Sequence, residues 1–271
     1  MQKRITLLFS LLIFISSYCQ SNDNHLITGY LDNDNLLDTI YYSIKNELIT
    51  GKILTSTIKL KFNYAFDEPL ETNIDIPEKG CIAFMTSGNG MSSNQKIEFY
   101  DFDENYQTWI HTKSIEISNN INYGIEIPNI EFSYYNNDFE TLDEKLIKYH
   151  VRKPKKNVIN NLISDCKIHK INIYKIIEYL ANFEINSENV VNYNDLAFFT
   201  QKESISLFIL HKILMKFPKR AVAVLNLGDS YYYLGNSAKA ILNYKKYIHL
   251  MKEQKKDLKK IPQYVYERIK E

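Results

Sequence analysis

The chain has 271 residues, of which 45% are hydrophobic and 24% charged, with a formal net charge of +1. That length and composition suit one large core or two small ones. Three cysteines exclude a disulfide-built scaffold, and no apolar run beyond the N-terminal one approaches the length of a membrane-spanning helix.

At the N-terminus, Lys3 and Arg4 precede an apolar or hydroxyl-bearing run over residues 5–17. Ser17 and Cys19 then stand at the −3 and −1 positions of a cut before Gln20. This is the pattern of a secretory signal peptide over residues 1–19. The run falls short of the about 20 residues that span a bilayer. The expectation is an exported protein, periplasmic or held at the cell envelope, with no transmembrane segment after cleavage. A lipid anchor at Cys19 is the alternative, although Tyr18 is larger than the residue a lipobox places there. Export argues against a nucleic-acid partner. Cys81 and Cys166 fall in different halves of the chain and are expected to be buried and unpaired.

Charge divides the mature chain. Residues 20–147 hold 21 acidic and 8 basic side chains, a net of −13, whereas residues 148–271 hold 11 acidic and 23 basic, a net of +12. Such asymmetry marks a domain boundary. Its simplest readings are complementary fields within the chain or solvated faces.

From residue 25 to 135 the apolar period is two. Strands are predicted over 39–44, 53–64, 71–76, 81–86, 96–102, 106–118 and 131–135, with Asp103-Glu104-Asn105 as a hairpin turn. Trp109, the one tryptophan, lies in an alternating strand and is assigned to the core.

Two loops in this half carry candidate chemistry. The first is Gly29-Tyr30-Leu31-Asp32-Asn33-Asp34-Asn35-Leu36-Leu37-Asp38. Closely spaced carboxylates can surround a hard cation, since Ca²⁺ takes six to eight oxygens from a tight loop. The segment resembles one calcium-loop hairpin of the FG-GAP type repeats. That resemblance puts Asp32, Asp34 and Asp38 on ligand positions and the Leu36 carbonyl on the backbone position. Tyr30 replaces the first ligand, Asn35 replaces the glycine of the turn, and a single copy is present. These departures favour an Asx-rich turn that keeps the hairpin without the metal. No cofactor is therefore expected, with Ca²⁺ as the alternative. The second loop, residues 86–95, is glycine-rich. It has neither the lysine and helix of a phosphate loop nor a G-x-S-x-G elbow, and reads as a polar connection between strands.

From Leu142 the period becomes helical. Helices are predicted from Thr141 to the break at Lys153-Pro154, over 158–166 and over 173–183, with Ser187 or Asn189 capping the next. Asn194-Asp195-Leu196-Ala197 begins a helix that leads into 206–217, and a closing helix is placed over 265–270.

Residues 221–247 resemble a tetratricopeptide repeat. Val224, Leu227, Gly228 and Tyr231 match its first helix, Gly235-Asn236 its turn, and Ala240, Tyr244 and Tyr247 its second helix. Gly228 and Ala240 lack bulk where the helices must touch, while Tyr231 and Tyr244 fill the space beside them. Ser206, Leu210, Ile213 and Pro218 stand 34 residues before Ala240, Tyr244, Tyr247 and Lys252, which is the family's period. The resemblance implies a non-enzymatic fold that binds a protein or peptide on a concave groove. The groove positions would be Leu225, Asn226, Asp229, Tyr232 and Tyr233.

No H-E-x-x-H, C-x-x-C or recognisable nucleophile turn is present, and the six histidines are scattered. An enzyme is not expected and no catalytic residue is assigned. The sequence therefore predicts an α+β protein: a signal peptide at 1–19, an antiparallel strand-rich domain at 20–140, a helical connector at 141–186 and tetratricopeptide-like helical hairpins at 187–271. The predicted function is that of an exported scaffold or adaptor for an unidentified protein or peptide. The alternative is a cation- or glycan-binding module in the strand domain, braced by the helices.

Overall fold

Strand pairing in the first half follows the alternation of its apolar residues. The computed structural model describes residues 24–45, 48–65, 69–88, 94–118, 129–135, 138–142, 146–148, 151 and 153–270. The signal segment with Cys19, and residues 89–93 of the glycine-rich loop, lie outside them. The chain divides between Lys153 and Pro154 into a strand unit and a helical unit. The protein is α+β, with antiparallel sheets followed by helices. Among the described residues no helix is long and apolar enough to cross a membrane.

The strand unit holds two antiparallel meanders. The first joins β1 (His25–Gly29), β2 (Asp38–Lys45), β3 (Leu48–Leu54) and β4 (Lys59–Ala65) in chain order. The second joins β5 (Pro69–Glu78), β6 (Cys81–Gly88), β7 (Asn94–Asp103), β8 (Thr108–Ser118) and β9 (Asn129–Tyr134), also in order. A short pair, β10 (Asp138–Glu140) with β11 (Leu146–Lys148), follows.

Cross-strand register sets the inner face of the first sheet. Ile40 lies opposite Ile53, Gly51 opposite Phe62 and Ile49 opposite Tyr64. Their side chains share one core with Ile74, Ile82, Phe84, Tyr100 and Trp109 of the second sheet. Phe84 stacks on Tyr64 at 4.3 Å and meets Phe62 edge-on at 5.7 Å, a geometry aromatic quadrupoles favour. Gly51 leaves room for Phe62, because a Cβ there would lie 2.5 Å from the ring and 2.7 Å from the Tyr41 carbonyl. The Trp109 indole N–H donates to the Leu31 carbonyl at 2.8 Å, so the core tryptophan also ties down the 29–38 loop.

Two predictions for the strand unit are corrected. The single strand expected over 53–64 is two strands joined by a turn at Thr55–Ile58. Thr55 N–H donates to the Ile58 carbonyl, and the Thr55 hydroxyl oxygen accepts from the N–H groups of Thr57 and Ile58. This local side-chain bonding wins over strand continuation. The helix expected from Thr141 to Lys153 is not present among the described residues. Thr141 instead bridges Ile110 on β8, the Leu142 N–H donates to the Trp109 carbonyl, and residues 146–148 pair as β11. Helical spacing over so short a stretch loses to a sheet edge that needs partners.

The helical unit runs α1 (Val158–Lys167), α2 (Ile173–Asn182), α3 (Val190–Phe199), α4 (Ser204–Lys216), α5 (Ala221–Tyr233), α6 (Ser237–Glu253), a 3₁₀ turn at Leu258–Lys260 and α7 (Gln263–Arg268). α3 packs on α4, α4 on α5 and α5 on α6, with α1 and α5 also against α3. The helix begun at Asn194 does not run into 206–217. It stops at Phe199, where the Thr200 hydroxyl donates back to the Leu196 carbonyl at 2.9 Å. Asn172 and Asn236 cap α2 and α6, each accepting from an N–H three residues on, at 3.1 Å. Gly235 adopts φ +80° and closes α5, with Asn236 N–H donating to the Tyr231 carbonyl and Gly235 N–H to that of Tyr232. Cys81 and Cys166 are buried free thiols, one in each unit.

Candidate functional site

The residues assigned from the sequence to a groove on α5 are brought together, but under a cover. Asp229 is only 4% exposed and Asn226 is buried. Leu225 and Tyr232 are half-buried, and Tyr233 is 44% exposed. Both carboxylate oxygens of Asp229 are engaged. Oδ1 accepts from the Tyr244 hydroxyl at 2.8 Å and from Arg268 Nη1 at 2.9 Å, while Oδ2 accepts from the Tyr264 hydroxyl at 2.9 Å. Arg268 Nη1 also donates to the Tyr244 hydroxyl oxygen at 2.7 Å. Its guanidinium lies 3.8 Å from the centre of the Tyr232 ring and 4.4 Å from that of Tyr264, with Tyr233 and Tyr244 at 5.5 and 5.9 Å. A cation over tyrosine faces and beside a carboxylate is held by charge, hydrogen bonding and the ring quadrupoles together. Burial pushes the Asp229 carboxyl up, against the hydrogen bonds from Tyr244 and Tyr264 and the Arg268 charge that pull it down.

This site is built by helix packing. Gly228 abuts the Tyr244 ring, since a Cβ on it would lie 2.7 Å from two ring carbons. That close approach brings the Tyr244 hydroxyl to Asp229, one residue along α5. Leu227, Tyr231, Ala240 and Tyr244 are buried as core residues. Pro218 lies between α4 and α5, and Gly235 between α5 and α6. Sequence reasoning missed Arg268 and Tyr264. Their spacing of four residues places both on one face of α7, but nothing in the sequence says that this face meets Asp229.

The 29–38 loop is the second site. Asp32, Asp34 and Asp38 each offer a carboxylate oxygen, and these lie within 4.8 Å of one another. Much of the loop is closed on itself. Asp38 Oδ2 accepts from Leu31 N–H at 2.8 Å, Asp32 Oδ1 from Asp34 N–H at 2.9 Å, and Asp34 Oδ1 from Leu36 N–H at 2.8 Å. Ser56 donates to Asp34 Oδ2, which holds that carboxyl below its usual range. Lys79 Nζ donates to the Asn33 carbonyl at 2.7 Å and to Asn35 Oδ1 at 3.0 Å, bringing a positive charge to the loop. Asp38 is 2% exposed, burial pushes its carboxyl up, and its Oδ1 has no hydrogen-bond partner among the described residues. The donor set is of the oxygen type that suits a hard cation, but four of its six oxygens already accept hydrogen bonds, two of them in Asx turns. A polar cleft of about 380 Å³ adjoins the loop, lined by Asn33, Asp101, Phe102, Asp103, Glu104 and Lys113 among others.

A third cluster was missed altogether. On the inner side of β7 and β8, Glu98 accepts from the Tyr64 hydroxyl, from the Tyr135 hydroxyl at 3.3 Å and from Lys96 Nζ at 2.7 Å. His111 Nε2 lies 3.6 Å from Glu98 Oε1, its ring stacked on Tyr100 at 4.6 Å and beside Tyr135 at 3.9 Å. Burial drives the His111 imidazole down to about 4, although Glu98 pulls it upward. Burial also raises the Glu98 carboxyl, but the hydrogen bonds from Lys96 and Tyr64 outweigh this and leave it below the usual range. The signal was Glu98 itself, a carboxylate in the row shared by Tyr100 and Phe102.

No protein-family model matches this chain, and no curated protein matches it.

Proposed function

We propose that the chain is an exported, non-enzymatic interaction protein that holds a protein or peptide on the α5 face of tetratricopeptide-like helices. The observation that supports this reading is the aromatic and acidic lining of that face. Asp229, Tyr232 and Tyr244 grip a peptide segment of the chain's own C-terminus. Rigid tyrosines give contact area at low entropic cost, and a buried carboxylate selects a cationic side chain. The 34-residue spacing, the close Gly228–Tyr244 contact and the glycine-closed turn at Gly235 fit the family resemblance. The scattered histidines and the lack of a nucleophile turn support a role without turnover.

Affinity capture of envelope proteins on the purified chain, read by mass spectrometry, tests this. One enriched partner is expected, lost on the combined Tyr232→Ala and Tyr233→Ala change and indifferent to a chelator. The same partner retained by the tyrosine variant would move binding away from α5.

A second reading rests on the orphaned Asp38 Oδ1 among three carboxylates, two of them buried. Like charges so close disfavour one another unless a cation or a proton joins them. On this reading the 29–38 loop holds a divalent ion beside the polar cleft, and the cleft takes a cation-linked or glycan ligand. Thermal unfolding with Ca²⁺ or a chelator decides it. An increase in Tm with Ca²⁺, lost on Asp38→Asn, supports the site, and an unchanged Tm removes it.

A further inference from the structure

Building on the adaptor reading, we infer that the α5 face is a guanidinium-reading site, that its partner is a peptide presenting an arginine, and that α7 is a built-in competitor for it. The recognition geometry is already on display. The Arg268 guanidinium lies over the rings of Tyr232 and Tyr264, and its Nη1 reaches Asp229 Oδ1 at 2.9 Å and the Tyr244 hydroxyl at 2.7 Å. A planar cation stacks on the rings and donates from its edge at the same time, whereas an ammonium has no plane to stack. Four of the five groups around it, Asp229, Tyr232, Tyr233 and Tyr244, belong to α5 and α6 and stay when α7 leaves.

α7 is suited to leave. It has six residues, and a helix so short has no stability of its own, so its order comes from docking. Val265 is its single buried residue, so the contacts of Arg268 and Tyr264 supply much of what holds it. Apolar residues close a fold at least as stably as a buried ion pair does, whereas such a pair is selective for what it accepts. An arginine reader filled by its own chain therefore reads as a selective site in its closed state. The tether gives α7 a high effective concentration, so a free peptide binds the intact chain weakly.

The probe is a synthetic peptide of residues 261–270, titrated calorimetrically into the full-length chain. Arg268→Ala protein is expected to bind it at least tenfold more tightly than wild type. That gain should vanish when Asp229→Asn is added, or when the peptide itself carries Arg268→Gln. Equal binding by wild type and Arg268→Ala, or equal binding of the Arg268→Gln peptide, overturns the inference. If Arg268→Ala loses a cooperative melt, Arg268→Lys takes its place, with binding expected above wild type; no gain there has the same overturning force. Concentration-dependent dimers of the wild-type chain formed by exchange of α7 would make a second copy the occupant and also overturn it. The adaptor reading is judged separately by capture. An envelope partner that the peptide does not displace leaves the adaptor standing and removes the arginine reader. Peptide binding without any captured partner does the reverse.

Discussion

At the scale of single residues, Asp229 and Arg268 are unequal partners in one ion pair. Removing Arg268 leaves the carboxylate with two hydroxyl donors, Tyr244 and Tyr264, and a carboxyl that burial already pushes toward its neutral form. Removing Asp229 leaves a largely buried guanidinium, the buried Tyr244 hydroxyl and the half-buried Tyr264 hydroxyl without their common acceptor. Unpaired buried charge is the more costly defect. Asp229→Ala is therefore expected to destabilise the helical unit by about 3–5 kcal/mol and Arg268→Ala by about 1–3 kcal/mol. Urea unfolding followed by far-ultraviolet circular dichroism would measure both, and the reverse order would show that the pair does not govern this site. The asymmetry also explains what sequence reading caught and what it missed. Asp229 could be placed on a helix face by periodicity, but a residue 39 positions away in the chain becomes its partner only through folding.

At the scale of elements, glycines mark where two pieces of backbone or ring come close. Gly228 sits inside α5, where alanine would ordinarily favour the helix by about 1 kcal/mol. A methyl group there would instead press on the Tyr244 ring at 2.7 Å, and that ring is held by Asp229 and Arg268 through its hydroxyl. Overpacking of this kind costs about 1–3 kcal/mol. Gly228→Ala is expected to lower the urea midpoint despite the gain in propensity, and a rise in midpoint would mean that α6 yields freely. The elements that repeated a clear period were legible: most second-sheet strands, α1, α2 and the α5–α6 hairpin. Those decided by single local bonds were not. The Thr55 turn that splits β3 from β4 depends on one hydroxyl, and the failed helix after Thr141 depends on an isolated bridge to Ile110.

At the scale of the whole molecule, the change of apolar period and of charge sign announced two kinds of structure, and the α+β architecture follows it. What the sequence did not announce is that the strand unit buries a histidine and the helical unit half-buries another. His111 lies in the strand unit against Glu98, Lys96, Tyr100 and Tyr135. His211 lies in the helical unit, 3.2 Å from the Tyr231 hydroxyl, with Lys239 and Lys246 near enough to act on it. Burial lowers both imidazoles to about 4, aided at His211 by the two lysines. The unfolded chain protonates them near pH 6.5, so between pH 6.5 and about 4 it binds more protons than the folded chain. Stability supplied by the neutral rings is thus complete above pH 6.5 and lost as pH falls toward 4. At pH 5 the loss amounts to roughly 2 kcal/mol for each histidine. Glu98, held below its usual range, adds a loss of the same sign at lower pH, while the raised carboxyls of Asp38, Glu203 and Asp229 act in the opposite sense. Comparing wild type with His111→Gln and His211→Gln at pH 7 and pH 5 cancels the contributions of Asp38, Glu203 and Asp229, which neither histidine touches. Each variant should lose less stability on acidification than wild type, the difference being largest in the unit that carries the change. Parallel losses in wild type and both variants would mean that these imidazoles take up protons without opening either fold.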